Sequence, residues 1–76
     1  MVKMKLWKVV CNGIGWSKNE TFYFPTRTRA EAFMVWFLQK ENHVCDGVKY
    51  AGRFSLEHAH DLLELTEWTC GQYAIK

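Results

Sequence analysis

The run Glu20-Thr21-Phe22-Tyr23-Phe24-Pro25-Thr26-Arg27-Thr28-Arg29-Ala30-Glu31-Ala32-Phe33-Met34-Val35-Trp36-Phe37-Leu38 changes its period in the middle. Residues 20–24 alternate, with Phe22 and Phe24 on one side and Thr21 and Tyr23 on the other. That is the pattern of a strand. Pro25 has no backbone donor and biases Phe24 towards extended geometry, so the strand stops there. Beyond it, Ala30, Phe33, Met34, Phe37 and Leu38 recur at helical spacing and form one broad apolar face. Thr28-x-x-Glu31 has the spacing of a capping box. A helix is expected from Arg29 to about Lys40, with Trp36 at the edge of its apolar face and Asn42 as terminator. A strand followed directly by such a helix makes the chain α+β.

Towards the N-terminus, Met4–Cys11 reads as another strand. Met4, Leu6 and Val10 share one side with Lys8, and Trp7, Val9 and Cys11 share the other. Neither side is cleanly polar, so a central or partly covered strand is expected. The Gly, Asn and Ser content of residues 12–19 marks a loop, and the two strands should pair as an antiparallel hairpin. Towards the C-terminus, Asp46-Gly47 is the strongest local turn signal, because both central positions of a type I′ turn need positive φ. Two arrangements stay open there. His43–Cys45 and Val48–Tyr50 form short strands around the turn, or a loop leads into one strand over Gly47–Tyr50. Ser55 then caps a second helix from Leu56 to about Trp68. Its buried stripe is Leu56, Ala59, Leu62, Leu63 and Thr66. Gly71 stops it, and Gln72–Ile75 is a final short strand. The expectation is one domain over residues 1–76, in the order β-β-α-β-α-β. Three to five antiparallel strands would carry both helices on one face.

Composition narrows the class. A chain of 76 residues has room for one core and buries only about 60% of its unfolded surface. With 49% hydrophobic residues and a net charge of +2 it is not disordered. Aromatic residues make up 16%, so Phe22, Phe24, Phe33 and Phe37 are expected mostly inside, while one or two Trp stay near the surface. Three Cys cannot all pair within the chain, and their spacing repeats nothing. They are expected as small buried apolar residues in a reducing compartment. No run approaches the roughly 20 apolar residues of a membrane span, and no apolar segment follows Lys3 and Lys5 as in a signal peptide. A cytoplasmic location without a membrane partner follows as the expectation.

The small net charge hides a division. Six cationic residues against Glu20 alone give residues 1–30 a net +5, and four against seven give residues 31–76 a net −3. On the second helix, Glu57, Asp61, Glu64 and Trp68 fall opposite the buried stripe. They form either an ordinary solvated face or a docking strip for a basic protein surface, with Trp68 as anchor. In the first half, Lys5, Lys8, Arg27 and Arg29 with Trp16 form an alternative basic surface for nucleic acid. A pI of about 8.5 is low for such a module.

Catalytic and metal chemistry find little purchase. Glu57 and His60 stand at i and i+3, with Glu64 one turn further, but matching ligands on the other helix are missing. His58 and His60 point about 200° apart on a helix and cannot chelate together. His43, Cys45, Cys11 and Cys70 are ligand types for zinc without paired short spacings. No phosphate-cradling loop, dinucleotide fingerprint or nucleophile elbow is present. The expectation is a non-enzyme with no cofactor and no metal.

Lys5-Leu6-Trp7 opening a strand, a Phe-rich second strand ending in Pro25, and Thr28-x-x-Glu31-Ala32 opening a helix together resemble small bacteriophage proteins that inhibit host machinery. The T7 phage inhibitor of bacterial RNA polymerase is one of these. The likeness covers roughly residues 5 to 36 and ends before the second helix. Anti-CRISPR proteins are similar in size and in lacking motifs. The resemblance implies a small non-catalytic binder that blocks a bacterial host protein. It implies no functional residue. A monomer or small homo-oligomer is the expectation for the chain itself.

Overall fold

A computed structural model describes residues 2–13, 17–39 and 43–74, with side chains described as far as residue 69. Strand β1 is Lys3–Asn12, β2 is Glu20–Phe24, helix α1 is Arg27–Leu38, β3 is Val44–Ser55 and α2 is Leu56–Ala74. The chain is α+β, with a three-stranded antiparallel sheet in the order β2-β1-β3. β1 is central, as its two apolar sides require.

Helix α1 starts two residues earlier than the capping-box spacing implies. Thr26 is extended, and its hydroxyl accepts from the Arg29 backbone N–H at 3.2 Å. Glu31 does not reach back to a cap. It meets the Arg27 guanidinium at 3.1 Å, one turn away. The helix buries Ala30 and Phe37 and half-buries Phe33 and Met34. Phe33 is the hub of a ring cluster, 4.9 Å from Phe22, 5.1 Å from Phe24 and 5.5 Å from Phe37.

Asp46-Gly47 does not make a hairpin. Both residues lie inside β3, one 12-residue strand paired along all of β1. Val9 pairs with Val48 and Cys11 with Cys45, so Asp46 and Gly47 stand against Val10 alone. Leu6 pairs with Gly52 and Trp7 with Tyr50, which leaves Ala51 as a second extra residue. Gly47 and Gly52 have φ of 101° and 112°, so each bulge uses the conformation that only glycine adopts freely. The sequence signal for positive φ is real and serves a bulge instead of a turn.

The two helices occupy different parts of the sheet. Alternation puts Trp7, Val9, Cys11, Phe22 and Phe24 on the side that α1 covers. Leu6 and Tyr23 point the other way. The Tyr23 ring meets Phe54 at 6.3 Å, and Phe54 meets His58 of α2 at 5.3 Å. Leu6 and Ala59 are fully buried apart from the α1 cluster. The shared face of the sequence reading thus resolves into two positions, with α1 on one side of the sheet and α2 running on the other side from the end of β3 to the β2 edge. There the buried Thr66 hydroxyl accepts from the Tyr23 backbone N–H at 2.8 Å. That contact satisfies an edge-strand donor and covers the edge.

Ser55 caps α2, accepting from the His58 backbone N–H at 3.2 Å. The helix does not stop at Gly71 but continues to Ala74. The expected strand at Gln72–Ile75 is therefore helix up to residue 74, and Ile75 lies outside the described residues. A helical glycine costs only about 1 kcal/mol, too little to end a helix without a C-cap geometry.

Candidate functional site

The outward face of α2 follows from its inward face. Ala59 and Thr66 are buried and Leu62 and Leu63 half-buried, which fixes the helix rotation. Glu57, Asp61, Glu64 and Trp68 then lie on the opposite side, and all four are exposed. Trp68 is 64% exposed, and Leu65 beside it is 60% exposed. Leu65 was missing from the sequence reading. It lies between the buried stripe and the acidic strip, where helical spacing alone does not decide exposure. Glu57 also sits in the first turn of α2, where its charge complements the helix dipole. His60 stands 3.8 Å from Glu64 at an exposed position.

Between the helices, next to the end of β2, lies a cleft of about 390 Å³. Tyr23, Pro25, Phe33 and Leu63 give it apolar walls, and the exposed Arg29 and Glu67 bring opposite charges to it. Trp36, 40% exposed, packs on Phe33 at 5.9 Å. This cleft was not foreseen, because it needs both helices to meet at the β2 edge.

The basic residues are distributed differently. Lys5 and Lys8 lie three residues apart on β1, so their side chains leave opposite faces of the sheet. Arg27 and Arg29 are exposed and two residues apart on α1, about 200° round the helix. Arg27 is already engaged with Glu31. Trp16 lies outside the described residues. The sheet adds two cations that sequence reasoning did not include. Arg53 stands directly opposite Lys5, and Lys49 opposite Lys8. Only a strand register reveals such like-charge pairs, which cost stability unless something else neutralises them.

Among the described residues no group of three or more His, Cys, Asp or Glu side chains is arranged to hold a metal ion. Cys11 and Cys45 come together across the sheet, while the side chain of Cys70 lies outside the described set. Among those residues no helix is long and apolar enough to cross a membrane. No protein-family model, curated protein or solved structure matches the chain.

Proposed function

We propose that this chain is a small non-catalytic protein-binding module of the cytoplasm that works through the outward face of α2. The observation that carries this reading is the exposed Trp68, set beside Leu65 and among Glu57, Asp61 and Glu64 on a helix whose inner face is already occupied. An indole left in water on a rigid helix is a ready anchor, since Trp dominates binding hot spots. The three carboxylates would steer a basic partner to it. The inhibitor class implied by the phage resemblance fits this mode of action, with a bacterial host protein as the partner.

The test is a comparison of wild type with Trp68→Ala/Glu64→Lys in capture from bacterial lysate, bound proteins being read by mass spectrometry. The expected result is a partner enriched on wild type and depleted at least tenfold on the variant, with unchanged thermal unfolding. Equal capture by both, or a large loss of stability, would overturn the reading. A second reading, nucleic-acid binding by the basic residues of the sheet, has in its favour the like-charge pairs Lys5–Arg53 and Lys8–Lys49, although they lie on opposite faces and so offer two small patches instead of one surface. It requires DNA or RNA affinity that falls steeply with salt. Absence of such binding removes it.

A further inference from the structure

Cys11 and Cys45 are direct partners in the antiparallel ladder between β1 and β3. Their Sγ atoms lie 2.8 Å apart, and no disulfide joins them. Forming one requires the sulfurs to close by less than about 1 Å, to the usual 2.03–2.05 Å. The adjoining bulge at Asp46-Gly47 supplies local backbone adjustment on the β3 side. The two thiols differ in access. Cys11 is 1% exposed and belongs to the α1 core, whereas Cys45 is only partly buried.

We infer that Cys11 and Cys45 are a redox-modification site, at which a reversible disulfide clamps β3 to β1 around the segment that carries β2 and α1. A low-molecular-weight disulfide such as glutathione disulfide serves as oxidant. The Cys45 thiolate attacks one glutathione sulfur, the S–S bond breaks, and one glutathione leaves as thiolate and takes up the proton that Cys45 lost. Cys11 then attacks Cys45 Sγ in the mixed disulfide. The second glutathione leaves and takes up the Cys11 proton. Two cysteine thiols are oxidised and one glutathione disulfide is reduced to two thiols.

Burial raises the Cys45 thiol above its ordinary range, and nearby Asp46 adds to this against the opposing hydrogen bond with Cys11. The first step is therefore slow at neutral pH and accelerates as pH rises. The second step is intramolecular, and a nucleophile held in contact with its target reacts as if present at about 10⁵ M or more.

The experiment uses full-length Cys70→Ser, which leaves only the two ladder thiols, incubated with glutathione disulfide at pH 8 and then alkylated in denaturant. The expected product resists alkylation, is about 2 Da lighter than the reduced chain, and yields a linked peptide pair holding Cys11 and Cys45. Its thermal midpoint rises by at least about 5 °C and returns with dithiothreitol. Peptide mapping of the oxidised wild-type chain gives the same linkage without relying on the variant. Adding Cys45→Ser abolishes the thermal shift. A glutathione adduct persisting on Cys45, a bond between two chains, or two thiols still fully alkylated would each overturn the inference.

Discussion

The two helices lie on one small sheet and are held by different means. Helix α1 is fixed by rings, with Phe33 and Phe37 packed into a cluster that includes Phe22 and Phe24. Helix α2 has no aromatic residue on its described inner side. It is fixed by Ala59, two half-buried leucines and one hydrogen bond from the sheet edge to Thr66. The difference lies in how each inner face is held, not in how much apolar surface is left over. Helix α1 leaves Val35, Trp36 and Leu38 exposed, and α2 leaves Leu56, Leu65 and Trp68 exposed, Leu56 against its expected place in the buried stripe.

Substitutions can break this contrast, the strongest of them in α1. Phe37→Ala opens a cavity in the ring cluster and should cost about 3–5 kcal/mol. In so small a domain that is enough to leave much of the chain unfolded, and denaturant titration by circular dichroism would register it. Thr66→Val keeps the shape but removes the acceptor for the Tyr23 amide. An expected loss of about 1–3 kcal/mol comes from that orphaned donor. Hydrogen exchange should then become much faster at Tyr23 while the α1 amides lose only what global stability loses. Gly52→Ala meets no crowding, since a Cβ there has open space. Its cost of about 1 kcal/mol would come from the positive φ alone. The smallest effect belongs to Trp68→Ala, expected within about 0.5 kcal/mol of wild type in thermal unfolding. A loss comparable with that of Phe37→Ala would erase the contrast.

Much of this was legible in the sequence because it is local. The period change at Pro25, the β2 limits and the Ser55 cap all follow from residues a few positions apart. The acidic strip with Trp68 needed only the helical repeat. What escaped depends on pairings distant in sequence. Thr26 and Thr28 carry equivalent hydroxyls, and the spacing to Glu31 pointed to Thr28 where the helix is capped by Thr26. Asp46-Gly47 signals positive φ equally for a hairpin and for a bulge. Only the full-length pairing of β1 with β3 decides between them. The same pairing brings Cys11 to Cys45 and Lys8 to Lys49, so neither juxtaposition was visible while a hairpin at residue 46 remained an option. The cleft and the Tyr23–Thr66 bond depend on how α2 meets the sheet, which no local pattern encodes.

The bulged strand has one more consequence. β3 spends 12 residues where β1 spends 10, like the outer rail of a curve, and it is also a margin of the sheet. A flat strand from another molecule could not follow that rail, because the ladder is displaced at both glycines and Asp46, Lys49 and Arg53 stand exposed along it. Recruitment of further chains by backbone templating, the route to fibrils, is thereby discouraged on this side. On the opposite margin, α2 has already claimed the Tyr23 amide. The two margins are thus marked by different means, one by bulges and exposed charge, the other by a bond to α2.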